Sequence, residues 1–71
     1  MSMAEIGELI KERRKSLGVE QSDVAELANT STHTLSNIET GKANPTFAVL
    51  NRVLDVLGLE IVVQTKRLPD D

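Results

Sequence analysis

QSDVAELANTSTHTLSNIETGK, residues 21–42, is the stretch whose reading decides the fold. It holds two short helical patterns back to back. The first carries apolar or small residues at Val24, Ala25, Leu27 and Ala28, and the second at Leu35 and Ile38. Between them Asn29-Thr30-Ser31 is a tight polar break. Ser31 is a favoured N-cap type, placed where its hydroxyl can accept a backbone N–H from the first turn of the second helix. Asn29 tolerates the left-handed conformation that commonly ends a helix.

Two helices joined by about 3 to 4 turn residues form a helix-turn-helix, which sets the second helix at a steep angle suited to a nucleic-acid groove. The outward positions of that second helix are Thr32, His33, Ser36, Asn37 and Thr40, all short or flat hydrogen-bonding groups able to reach base edges and phosphates. A merely solvated face more often carries Glu and Lys pairs at i,i+4 spacing, whereas charge here is confined to Glu39 and Lys42. The bland alternative is a polar face with no ligand.

Leu17-Gly18-Val19-Glu20-Gln21, Val24-Ala25, Ser31, and Ser36-Asn37-Ile38-Glu39-Thr40-Gly41-Lys42-Ala43-Asn44-Pro45 together resemble the helix-turn-helix of lambda-repressor-like regulators of the Cro and xenobiotic-response-element (XRE) type. The resemblance covers roughly residues 4–58, and the segment Ile38–Pro45 is its most specific part. Leu57-Gly58-Leu59-Glu60-Ile61-Val62-Val63 further resembles HipB-type antitoxins, in which a strand replaces a fifth helix. The resemblance implies base-edge contacts from Thr32, His33 and Asn37, with Ser36 a further candidate. It also implies backbone contacts from Gln21, Ser31, Lys42 and Asn44, and an ion pair between Arg14 and Glu39 that ties the first helix to the end of the recognition helix. One departure stands out. Glu20 occupies a position where relatives often have Thr or Ser, so a neutral cap is lost and negative charge stands near the expected phosphate. Either Glu20 turns away or the backbone contact is weakened.

Seventy-one residues suit one small domain, which buries only about 60% of the surface its unfolded chain exposes, so association with another chain would help it. There is no cysteine, which excludes disulfides and thiolate metal sites. His33 has no Cys, His or carboxylate partner at helical ligand spacing, so no metal is expected. No cofactor is expected either. A Gly-rich phosphate loop and a nucleophile–base pair are both missing, so an enzyme is disfavoured. No apolar run approaches the roughly 18 residues of a membrane span, and the N-terminal Glu5 and Glu8 do not suit a signal peptide, which makes a bacterial cytoplasmic, nucleoid-associated protein the expectation. The formal net charge of −3 argues against bulk attraction to DNA. Phosphate contacts depend on the field of one face, however, so specificity must come from direct contacts and dimerisation.

Along the chain, residues 4–17 read as an amphipathic helix with Ile6, Leu9, Ile10 and Leu17 inward, an acidic start, and a basic end in Arg13, Arg14 and Lys15 that suits the helix dipole. The basic cluster has a solvated reading as well as a phosphate-binding one. The reading helix spans 32–40, and Thr46 caps a helix over 47–57 with Phe47, Leu50, Val53, Leu54 and Leu57 inward. Phe47 is the single aromatic residue and is expected as a core plug. From Leu59 to Gln64 the period changes to alternation, with Leu59, Ile61 and Val63 on one side, which means a strand. The chain offers no second strand. Pairing with the same strand of another copy across a two-fold axis is the economical solution, and it would set two reading helices about 34 Å apart for a palindromic operator. The alternative is a frayed tail packed on the core.

The expectation is therefore an all-α fold, a four-helix lambda-repressor-like DNA-binding domain over 1–58, a β-strand over 59–64 pairing across a homodimer, and a flexible tail over 65–71. The expected partner is double-stranded DNA. The resemblance implies a repressor of its own operon, an antitoxin that also binds a HipA-like kinase toxin. A phage-type or host regulator without a toxin partner stays open, as does a protein-interaction module that has lost DNA binding.

Overall fold

The computed structural model describes residues 1–67, and within them the chain forms α1 (Met3–Ser16), α2 (Gln21–Leu27), α3 (Thr32–Glu39) and α4 (Phe47–Val56). Each start has a local cause. Ser2 and Glu5 form a capping box on α1: the Glu5 N–H donates to the Ser2 hydroxyl at 3.2 Å, and the Ser2 N–H donates to Glu5 Oε1 at 3.0 Å. Ser31 caps α3 and Thr46 caps α4, each accepting from the backbone N–H three residues on. Glu20 stands at the N-cap of α2 and supplies no side-chain bond, the short Ser, Thr, Asp and Asn side chains being the types that favour this position.

The ends share one device. After α2, Asn29 adopts φ 55°, its N–H donates to Glu26 O, and the Thr30 N–H reaches back to Ala25 O at 2.9 Å. This left-handed closure satisfies carbonyls that the helix leaves unpaired, and it recurs at Gly18, Gly41 and Gly58.

The core gathers Ile10 from α1, Val24, Ala25 and Ala28 around α2, Leu35 and Ile38 from α3, and Leu50, Val53, Leu54 and Leu57 from α4 and its end. Gly7 is buried in the middle of α1 because α3 passes directly over it: a β-carbon there would overlap the carbonyl oxygen of Ile38 and lie 2.9 Å from that of Glu39. Helix propensity alone disfavours glycine at that position, and close helix packing overrides it.

Three positions expected inward are corrected: Phe47 is 67% exposed, and Leu9 and Leu17 are each about half exposed. Leu27, apolar in the same pattern as Val24, is 73% exposed. Burial rises along α4 from Leu50 to the fully covered Val53, so Phe47 in its first turn lies at the periphery of the packed bundle despite standing on the right side of the helical repeat. Leu9 faces a groove instead, bordered by Ile6, Leu50, Leu54, Leu59 and Ile61.

The strand expected over 59–64 is not formed in the single chain, and among the described residues no strand is present. A ladder needs a partner, and none of the described residues offers one. Leu59 packs against the core, while Ile61 is partly and Val63 almost wholly exposed. Of the expected tail, Thr65, Lys66 and Arg67 are exposed without regular structure, and residues 68–71 lie outside the described part of the chain.

Candidate nucleic-acid interface

The second helix of the helix-turn-helix, α3, is held from three sides. Leu35 and Ile38 pin it to the core, and its last residue, Glu39, is only 4% exposed. Arg14 meets that carboxylate with two hydrogen bonds, Nε to Oε2 at 2.7 Å and Nη2 to Oε1 at 3.0 Å, while Nη1 donates to the Val19 carbonyl at 3.0 Å. A guanidinium fork matches a carboxylate in this way without strain. Gln21 Nε2 adds a third bond to Glu39 Oε1 at 3.0 Å. One buried carboxylate thus joins α1, the start of α2 and the end of α3. Burial pushes the Glu39 carboxyl up, but the bonds from Arg14 and Gln21 and the positive charges of Arg14 and Lys11 outweigh it and hold the group below its ordinary value. The same pairing pushes Arg14 up.

With α3 fixed, its free face carries Thr32, His33 and Thr40 exposed and Ser36 and Asn37 half-buried. His33 and Asn37, one turn apart, are themselves joined, Asn37 Nδ2 lying 3.2 Å from His33 Nε2. Thr40 is corrected as a free donor, since its hydroxyl donates to Ser36 O at 3.0 Å and lies within reach of Asn37 O. Lys42 and Asn44 are exposed on the loop that follows. That loop is anchored to α3, because the Lys42 and Ala43 N–H groups both donate to Asn37 O, at 2.9 and 3.1 Å. Gly41 makes the turn with φ 76°, and its α-hydrogen side rests on Ala4 of α1.

Two of the expected backbone-contact residues have prior commitments. The Ser31 hydroxyl accepts from the Thr34 N–H at 3.0 Å and donates to Thr34 Oγ1 at 2.8 Å, so its one proton is taken within the cap. Gln21 directs its amide nitrogen at Glu39. The geometry therefore gives both residues a part in the frame that aims α3, while Gln21 keeps its second amide hydrogen and Oε1.

Sequence reasoning missed two further arginines. Arg13 Nε donates to Leu57 O at 2.8 Å and Arg52 Nε donates to Ala28 O at 2.9 Å, so each closes the end of a helix belonging to another part of the fold. Nothing in the local sequence marks them, because their acceptors are 44 and 24 residues away. Arg13 and Arg14, neighbours in one basic cluster, thus both serve as structural ties.

Residues 5–67 match the family model described as a helix-turn-helix domain. The chain belongs to that family. No curated protein matches it. A helix-turn-helix domain is the DNA-binding part of regulators, which agrees with a rigidly mounted α3 whose outer face is polar. Among the described residues of this helix-turn-helix domain no group of His, Cys, Asp or Glu side chains is arranged to hold a metal, and no helix is long and apolar enough to cross a membrane.

Proposed function

We propose that the chain is a sequence-specific transcriptional repressor that reads a palindromic operator as a homodimer. The observation that carries this reading is the outer face of α3, where Thr32, His33, Ser36 and Asn37 stand on a helix whose core side is locked by Leu35, Ile38 and the Arg14–Glu39 pair. Side chains of these types can read base edges in the major groove: Asn can pair with adenine, Thr can touch the thymine methyl, and His can donate to guanine or a phosphate. Lys42 and Asn44, exposed on a loop tethered to the end of α3, are the backbone clamps.

The dimer rests on residues 59–64. Ile61, Val62 and Val63 are exposed apolar side chains beside a groove between α1 and α4, on a segment with no ladder partner in its own chain. Such an edge associates, and pairing with its own copy satisfies both its backbone and its side chains. The resemblance of this C-terminal stretch to HipB-type antitoxins extends the reading to an autoregulating antitoxin with a HipA-like kinase toxin as second partner, in a bacterial cytoplasm.

A protein-interaction module is the second reading, favoured by the exposed, uncapping Glu20 at the start of α2 and by the net charge of −3. The deciding experiment is an anisotropy titration of the purified protein into labelled duplex from upstream of its own coding region, beside a scrambled duplex, at about 50 and 200 mM salt. The repressor binds the native duplex selectively, and replacing His33 and Asn37 together with Ala removes the selectivity. Equal weak binding to both duplexes favours the interaction module. Co-purification with the product of the neighbouring gene tests the antitoxin extension.

A further inference from the structure

The side chains at positions 33 and 37 form one unit. Asn37 Nδ2 lies 3.2 Å from His33 Nε2, and an amide nitrogen only donates. With Nδ2 toward the ring and Oδ1 away from it, the contact requires Nε2 to accept, and so the neutral tautomer with its proton on Nδ1. Asn37 then keeps one Nδ2–H and the whole of Oδ1 for a ligand, a donor and an acceptor side by side. Adenine presents the complement in the major groove, an acceptor at N7 and a donor at N6, whereas guanine presents two acceptors, N7 and O6.

We propose that His33 is a positioning residue that orients the Asn37 amide for adenine, and that protonation of its ring turns the amide over and transfers the pair's preference to guanine. The inference rests on the reading of α3 as the base-reading helix. A protonated ring carries N–H at Nε2 as well, and so cannot accept from Nδ2. The amide rotates to offer Oδ1 to Nε2–H, and both Nδ2 hydrogens then face outward, the pattern that two guanine acceptors require.

α3 packs against α1 and α2. From α1, Arg14 and Lys11 act on Glu39, the last residue of α3. From α2, Asp23 and Glu26 are exposed, and the one ion pair among the described residues is Arg14–Glu39, so neither carboxylate pairs with His33.

The test begins with a duplex pool randomised over about two helical turns, from which the wild-type protein selects at about pH 8 and about pH 5.5. Affinities of the enriched duplexes are then compared with adenine and guanine exchanged at each purine position. The expected result is one position where adenine is preferred about tenfold at the higher pH, with that ratio collapsing or inverting at the lower. A positive ring alone would tighten binding to both duplexes and leave the ratio unchanged. His33→Gln, which offers Asn37 an acceptor that does not titrate, should keep the adenine preference at both pH values. His33→Ala should weaken it at both, and because the side chain is exposed the variant should fold normally by circular dichroism. An adenine-to-guanine ratio that ignores pH, or that survives His33→Ala, overturns the proposal while leaving α3 as the reading helix. Failure of the wild type to enrich any duplex overturns the base-reading role of α3 and the role of the pair with it.

Discussion

Arg14 grips Glu39 through two parallel hydrogen bonds of 2.7 and 3.0 Å, locking the last turn of α1 to the last residue of α3 25 positions later. Removing the arginine alone strands a buried carboxylate. Arg14→Met should cost about 3 kcal/mol, a drop of at least about 10 °C in melting temperature for a domain of this size. Replacing both partners, as in Arg14→Met with Glu39→Leu, should recover much of that loss, because no uncompensated charge remains. Thermal unfolding of the two variants checks this. Equal destabilisation by the single and double substitutions would mean that packing, and not charge pairing, is what Arg14 supplies.

The same carboxylate predicts a pH dependence. Glu39 is held below the ordinary value of 4.5, so its contribution to stability is fully present above that value and is lost as pH falls through the lower, folded-state value. The melting temperature should therefore decline on acidification below about pH 4.5, more steeply in the wild type than in Glu39→Gln. Glu5, lowered by the Ser2 backbone N–H and hydroxyl, acts in the same direction but is fully exposed.

Gly7 and Gly18 separate two reasons for glycine. Gly7→Ala drives a methyl group into the carbonyl of Ile38 and should destabilise by at least about 2 kcal/mol or prevent folding. Gly18 has nothing within 4 Å of a β-carbon but holds φ 70°, so Gly18→Ala should cost only about 1 kcal/mol. Chemical denaturation of the two variants measures the contrast.

Phe47→Ala should change stability by less than about 1 kcal/mol, whereas Leu35→Ala, at a fully buried position, should cost about 3 kcal/mol. A large loss from Phe47→Ala in the isolated domain would show that the first turn of α4 is packed.

On the DNA side, Lys42→Ala should weaken binding about equally across sequences and reduce the salt slope by about one, while leaving the base preference unchanged. Titrations at several salt concentrations read both quantities.

Much of this was legible in the residues themselves. The polar break at Asn29–Ser31 announced two helices and their turn, because N-caps and left-handed closures are chemistry of single residues acting on the nearest backbone. Helix limits followed to within about a residue for the same reason, and the polar outer side of α3 follows from helical period alone. Tertiary structure decided what depends on which elements meet. Phe47 and Leu27 lie on apolar periods but outside the packed volume, and period cannot say where a neighbouring helix stops. Gly7 is required because α3 passes directly over α1 at that point, which no local pattern announces. Arg13 and Arg52 close distant helix ends, and Ser31 and Gln21 are engaged inside the frame. The sequence by itself determined the local conformations, which nearby atoms control. Only the folded chain decided which polar groups remain free for a ligand, because their partners arrive from tens of residues away.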